Sequence, residues 1–325
     1  MAGAIVTVDT KQITPSAGSF SENLIGRFVA FAGVSENSRI TYTKSLRQMF
    51  RYFAANGIVN PTREDLYSWI EDMKSAGKSA STIQLYTAAA KVFFRWTEQD
   101  NLYPNIADHL KTGVKVSHSH KRDALSPEQC KTLCTSVDNI SAKKKIRNDL
   151  TTARDKAILS LMTTAGLRTV EVVRANVGDI RFERGKVYLY VQGKGHSEAD
   201  EKVLLSKQTY KAIQLYQKLR GKVQAAEPLF TSTSNRNKNG RLDTQAIRKM
   251  VKKNLRGMGL DSPRLSAHSL RHSTATNLTF AGFALPLVQM ILRHKNLNTT
   301  MLYDAAWKRY NNDGEQMLAD MIFKE

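Results

Sequence analysis

The chain has 325 residues, 41% of them hydrophobic and 24% charged, a composition that fits soluble globular folding and a length that suggests about two domains. Its 49 Lys and Arg against 29 Asp and Glu give a formal net charge of +20, which argues for a polyanionic partner, nucleic acid first. No apolar run approaches the roughly 18 residues of a spanning helix, no lipidation motif appears, and the opening MAGAIVTVDTKQITPS lacks the basic and apolar stretches of a secretory signal. Cys130 and Cys134 are too few for a disulfide framework or a thiolate zinc site, so a reducing, cytoplasmic setting without a membrane partner is expected.

Residues 1–19, rich in Thr, Ser, Ala and Gly and carrying Pro15, read as a flexible arm. Four amphipathic helices are expected between residues 20 and 112: ENLIGRFVAFAG, SRITYTKSLRQMFRYFAANG, TREDLYSWIEDMKSAG and SASTIQLYTAAAKVFFRWTEQD. Each begins near a Ser, Thr or Asn able to cap, and the first three run into Gly33, Gly57 and Gly77. In the fourth, Ile83, Ala89, Ala90, Phe93 and Phe94 lie close to helical spacing while Lys91 and Arg95 project elsewhere. Four such helices make a small bundle. Arg39, Lys44, Arg47, Lys91 and Arg95 on that bundle are candidate DNA contacts, with solvated helix faces as the alternative reading of the same charges.

Residues 113–122, inside KTGVKVSHSHKRDALSPEQ, are rich in Gly, Ser, His and Lys and read as an interdomain linker; SPEQ then starts a helix. The second domain, 123–325, carries more helices and one strand pair, KVYLYVQ at 186–192 and KVLL at 202–205, joined by GKGHSEADE. A further helix, DTQAIRKMVKKNLRGMG, sits in a stretch, 236–256, with eight Lys/Arg and one Asp, where Arg241, Arg248 and Lys252 are candidate DNA contacts. There is no internal repeat.

Four places in this second domain carry candidate chemistry. In TTAGLRTVEVVRANVGDI, Arg168 follows a Thr-Ala-Gly break and Glu171 stands one turn later, either holding a fork-shaped phosphate ligand or making an ordinary helical ion pair. Lys194, between two glycines, is placed to reach into a groove with a proton, or is a plain exposed turn residue. LSAHSLRHSTATNL puts His268, Arg271 and His272 on one helical face. The two histidines have the spacing of HExxH, but Ser269 stands where that motif needs its glutamate, and no metal is expected. At a helix start after Pro263, His268 and Arg271 suit an anion, with His272 supporting or merely structural. In MILRHKNLNTTMLYDAAW the helix through Ile291 and Leu292 should end near Asn296, and Tyr303 follows His294 by nine residues. A tyrosine becomes a nucleophile only where cations stabilise its phenolate; a buried hydrogen-bond donor is the alternative role.

Arginine after a Thr-x-Gly-Leu turn, lysine in a GKG hairpin, His-x-x-Arg-His, then Leu-x-His with a tyrosine nine residues on: this ordered set resembles the tyrosine recombinase family, also called the phage integrase or lambda-integrase family. It resembles the simple two-domain type, such as mobile-element integrases and Xer recombinases. The resemblance implies a mainly α fold with a small β-sheet: an N-terminal four-helix, SAM-like core-binding domain at 20–112, then an α+β catalytic domain at 123–325. It implies that Arg168 and Arg271 clamp the scissile phosphate, that His268 and His294 hydrogen-bond it and help move protons, and that Lys194 protonates the departing 5′-hydroxyl. Tyr303 would attack phosphorus and leave a covalent 3′-phosphotyrosyl linkage, either for integration and excision of a mobile element or for resolution of DNA. Because that linkage retains the phosphodiester energy, no cofactor, ATP or metal is expected.

The implied partner is a double-stranded recombination site bound by a homotetramer, in a nucleoid-associated setting, with an accessory DNA-bending or directionality factor as a further candidate. The tail 304–325, with three Lys/Arg and five Asp/Glu, has a net charge of −2, and GEQMLADMIF within it is amphipathic enough to dock on a neighbouring protomer. Two departures from the family pattern stand out. Arg293 occupies a position where glycine is common, adding a charge near the phosphate. The hairpin continues as acidic HSEADE, which makes Lys202 a competitor of Lys194 for proton donor. A type IB topoisomerase and a non-catalytic, sequence-specific DNA-binding protein are the rival readings.

Overall fold

Short polar side chains set the helix starts of the N-terminal part. Helices α1 (Ala17–Phe31), α2 (Glu36–Ala55), α3 (Arg63–Ser75) and α4 (Ala80–Gln99) follow one another, and Ser35, Thr62 and Ser79 each accept a backbone N–H from the first turn of α2, α3 and α4. Asp65 answers Thr62 by accepting its N–H at 2.7 Å, completing a capping box. Gly33, Gly57 and Gly77 have positive φ at the turns after α1, α2 and α3. Helix α1 begins three residues inside the expected arm.

This computed structural model describes residues 17–115, 123–143, 149–193, 198–294, 301 and 314–323, and the chain divides between Ser117 and His118 into two compact units. The first unit buries Phe28, Leu46, Met49, Leu66, Trp69, Ile70, Met73 and Ile83 in one core. Phe93 meets Phe28, Phe50 and Phe94 near edge-on at 5.5, 5.6 and 5.2 Å, the favoured aromatic geometry. Ala107 and Leu110 beyond α4 join the same core, so the bundle extends up to the start of the expected linker.

The second unit contains α5 (Pro127–Lys143), α6 (Asp149–Thr164), α7 (Thr169–Arg174), strands β1 (Ile180–Glu183), β2 (Lys186–Val191) and β3 (Glu201–Leu204), then α8 (Lys207–Arg220), α9 (Thr244–Gly257), α10 (Ala267–Phe280), α11 (Leu285–Leu292) and α12 (Gly314–Ile322). The fold is therefore mainly α with a small antiparallel sheet. SPEQ caps α5 as expected: Ser126 N–H donates to Gln129 Oε1 at 2.9 Å and Gln129 N–H to Ser126 Oγ at 3.2 Å. Ala157, Ile158, Leu159, Leu161 and Met162 are all fully buried, so α6 is the central helix, packed against α5, α8 and α10. Helix α10 is pinned by its hydroxyls: Thr274 donates to the Thr163 carbonyl at 2.9 Å, and Ser273 accepts the Leu125 N–H at 2.7 Å.

The sheet has the order β1-β2-β3, one strand more than the sequence pattern suggested. Strand β1 is four residues long and turns into β2 through Arg184 and Gly185, both with positive φ, as a two-residue hairpin of type I′ requires. Leu189, Val191 and Val203 face the core, while Tyr188, Tyr190 and Lys202 share the other face with Arg181 and Glu183.

Candidate active site

Helix α7 is built around its own anion. Glu171, three residues into the chain after Arg168, is fully buried and turns back so that its Oε2 accepts the Arg168 N–H at 2.8 Å, while Oε1 accepts from Arg168 Nη1 at 2.5 Å. One carboxylate thus caps the helix and fixes the guanidinium. Burial pushes the Glu171 carboxyl up, but the charges of Arg293, Arg168 and Arg271 together with the Arg168 N–H outweigh it and hold it below its ordinary range.

Arg271, in the second turn of α10, is 3% exposed and does a different job. Its Nη1 donates to the Gly166 carbonyl at 2.6 Å and its Nη2 to the Leu292 carbonyl, so it joins the turn before α7 to the end of α11. Gly166 has a φ of +60°, and a Cβ there would lie 2.7 Å from Leu292 Cδ2. Gly166→Ala is expected to cost about 2 kcal/mol, from left-handed backbone strain plus overpacking, as read by urea unfolding. A variant as stable as wild type would show that the turn has room.

His294 is clamped by a single glutamine: its N–H donates to the Gln289 carbonyl at 3.1 Å, and Gln289 Nε2 donates to the His294 carbonyl at 2.9 Å. The imidazole is pushed down to about 4, first by burial and then by Arg271, Arg168, Arg293 and His268, so it is neutral at physiological pH. Arg293, just before it, has a φ of 54° and ends α11. Its side chain is 6% exposed and turned inward, with Nη2 donating to Glu171 Oε2 at 2.8 Å. Arg168 Nη2 in turn donates to the Arg293 carbonyl at 3.3 Å. Arg168, Arg271 and His294 therefore meet at one place, held by Glu171, Gly166 and the end of α11.

His268 is exposed on the first turn of α10, close enough to act electrostatically on His294, whereas His272 is buried. Ser269 serves local structure: its Oγ accepts the Ser266 N–H at 3.0 Å. Lys202 Nζ donates to Glu183 Oε2 at 3.0 Å and lies over the Tyr188 ring, on the sheet face opposite to Glu201, which sides with Arg293 and His294. Lys194 and Tyr303 fall outside the described residues; the Gly193 carbonyl just before Lys194 accepts from Arg174 Nη1 at 3.3 Å.

Among the candidate DNA contacts, Arg39, Lys44 and Arg47 line one groove on α2 with Arg51, although Arg47 is also gripped by both oxygens of Glu22 at 2.8 and 2.9 Å. Lys91 lines a second groove with Lys111, and Arg95 is exposed. Arg248 is exposed on α9. Arg241 spends its fork on the Val173 and Arg174 carbonyls and on Asn176 Oδ1, at 2.7, 3.0 and 2.6 Å, which caps the end of α7. Lys252 donates to the Ser262 carbonyl at 2.7 Å and pairs with Asp261. Sequence reasoning did not anticipate the inward turn of Arg293, the Gln289 clamp or the Gly166 contact; the arginine standing where glycine is common was the one visible signal. Among the described residues no helix is long and apolar enough to cross a membrane.

Comparison with known proteins places these features. The sequence model of the phage integrase family matches residues 124–309, and that of the phage integrase N-terminal SAM-like domain matches residues 30–101. A tyrosine recombinase of Synechococcus elongatus is 28% identical over 301 residues, covering 89% of this chain and 90% of the relative. Tyrosine recombinase XerA of Pyrococcus horikoshii is 28% identical over 276 residues, covering 85% of each. Among solved structures, the XerH site-specific recombinase bound to a palindromic difH substrate, a post-cleavage complex, superimposes with a TM-score of 0.72 at 22% identity, over 95% of this chain and 85% of that one. A lambda integrase dimer bound to a COC′ core site gives 0.62 at 15% identity, over 85% and 95%.

Proposed function

The chain belongs to the phage integrase family and is a tyrosine recombinase, and from that premise we propose that it exchanges DNA strands at a specific duplex site through a phosphotyrosine formed on Tyr303. The observation that carries this reading is the meeting of Arg168, Arg271 and His294, from three separate segments, around one set of fixed acceptors.

The chemistry follows from charge. Attack of the Tyr303 oxygen on the scissile phosphorus puts extra negative charge on the non-bridging oxygens, and two guanidiniums already locked in place stabilise that charge without reorganising. Glu171 fixes Arg168 for the purpose, and the two carbonyls fix Arg271. His294, neutral, offers a hydrogen bond without adding a further cation to the cluster. His268 takes the phenolic proton. The P–O5′ bond then breaks, and Lys194 gives its proton to the departing 5′-oxygen; the pairing of Lys202 with Glu183 on the other face of the sheet supports Lys194 over Lys202 for this role. Reversal by a 5′-hydroxyl from another strand rejoins the DNA and frees the tyrosine. The balance of bonds is even, so no cofactor is consumed.

The DNA partner is a short core site gripped by basic side chains of both units: Arg39, Lys44, Lys91 and Arg95 on the first, Arg248 on the second, with Arg47, Arg241 and Lys252 dividing their donors between protein and phosphate. Met317, Leu318, Met321 and Ile322 leave an apolar face of α12 exposed, which suits docking on a neighbouring protomer in a DNA-bound tetramer. The biological task is integration and excision of a mobile element or resolution of DNA, carried out in the cytoplasm on the nucleoid.

The test is a nicked duplex carrying the candidate site, incubated in EDTA with wild-type protein and with Tyr303→Phe and run on a denaturing gel. A 3′ DNA fragment covalently bound to wild-type protein alone is the expected result. Tight DNA binding with no adduct on any cognate site would turn the same residues into phosphate anchors of a non-catalytic DNA-binding protein.

A further inference from the structure

Arg293 sits where the backbone asks for a glycine. With a φ of 54° it adopts the left-handed conformation that side-chain-bearing residues rarely take, and such a residue persists only where its surroundings over-determine it. Here they do. Nη1 donates to the Ile291 carbonyl at 2.7 Å, closing the last turn of α11, and Nη2 donates to Glu171 Oε2 at 2.8 Å. Nε faces Glu201 Oε2 at 3.7 Å, an ion pair longer than a hydrogen bond. The Arg293 carbonyl meanwhile accepts from Arg168 Nη2. One residue thus holds Arg168 from two sides, through its own backbone and through the carboxylate they share.

We propose that Arg293 is a positioning residue that locks Arg168 and the segment bearing His294 into one unit through Glu171, and ties that unit through Glu201 to the start of β3. A surface arginine would contribute none of this; a 6% exposed one with its fork divided between two acceptors and a third, longer ion pair does. The arginine also adds a fixed positive charge beside His294, joining those of Arg168 and Arg271, with His268 nearby and Glu171 and Glu201 as the acidic groups on the facing elements. Removing it lets the imidazole hold its proton to higher pH, since a neighbouring cation disfavours the charged form.

This role rests on the recombinase reading, and the experiment separates the two. Arg293→Gly relieves the backbone and deletes the whole side chain; Arg293→Lys keeps the charge and most of the methylenes without the fork; Glu201→Gln removes only the charge of the weakest partner. Two readouts are taken on the full chain: the rate of covalent adduct formation on the nicked duplex, and the His294 titration midpoint by NMR of the labelled imidazoles. For Arg293→Gly the adduct rate should fall by about tenfold with DNA affinity unchanged, as for other residues that orient a ligand-binding side chain. Its His294 midpoint should rise above the wild-type value of about 4. The lysine variant should recover the midpoint better than the rate. Glycine and wild type matching in both readouts would overturn the proposal, and Glu201→Gln at wild-type rate would overturn the tie to β3. If wild type itself forms no adduct, the recombinase reading fails, and the His294 midpoint alone decides: raised upholds the contact with Arg293, unmoved overturns it.

Discussion

Arg271→Ala should lower adduct formation on the nicked duplex by on the order of a thousandfold, the usual effect of removing one preorganised donor to a developing anion. It should also cost about 3 kcal/mol of stability. The two losses share a cause. Arg271 is 3% exposed and donates to the Gly166 and Leu292 carbonyls, so truncation leaves both acceptors buried without that partner, each at about 1–3 kcal/mol. Arg271→Lys keeps the charge but cannot present a planar fork to two carbonyls and a phosphate together, and should restore stability only in part and rate hardly at all. Adduct kinetics measured at a temperature where all three proteins stay folded separate the effects. An alanine variant within tenfold of wild type would remove Arg271 from the phosphate.

Glu171→Gln is the second large effect. The glutamine keeps the size of the side chain and can still accept the Arg168 N–H, but it abandons two guanidiniums, Arg168 at 2.5 Å and Arg293 at 2.8 Å, next to a fully buried amide. Breaking one partner of a buried ion pair costs about 3–5 kcal/mol; Arg168 is 30% exposed and partly screened, so about 3 kcal/mol is expected. The pH dependence has a definite sign. The folded state holds this carboxyl below its ordinary range, so its contribution is fully present above the unfolded value and fades as pH falls through the lowered folded one. Urea midpoints of wild type and Glu171→Gln should therefore differ most near neutrality and converge in acid. A gap that stays constant down to that range would mean that the charge of Glu171 contributes nothing to stability.

Much of this architecture was legible because it is local. The caps Ser35, Thr62, Ser79 and Ser126 are short-range signals, and so is the pairing of Glu171 with Arg168 one turn away. Strand β1 was missed because its alternation, Ile-Arg-Phe-Glu, lasts only four residues and the Arg-Gly that follows is a weak turn signal. Polar residues interrupt α6 on several sides, Arg154 and Asp155 buried among them, so its pattern does not reveal its central place. Arg293 was noticed only as a charge where glycine is common; its bond to Glu171 spans 122 residues and depends on how α11 docks, which no local pattern encodes. The site's residue types were readable through the family resemblance, their mutual support was not.

The sequence separations bridged by Arg271, 105 residues back to Gly166 and 21 forward to Leu292, have a consequence for a protein that handles a genome. On the proposed reading, the basic helices need only local contacts to form, whereas the cluster of Arg168, Arg271 and His294 requires α6, α10 and α11 to be docked. A partly melted copy is then expected to hold DNA without being able to nick it. Competence to break DNA is made conditional on the completed fold, a built-in fail-safe.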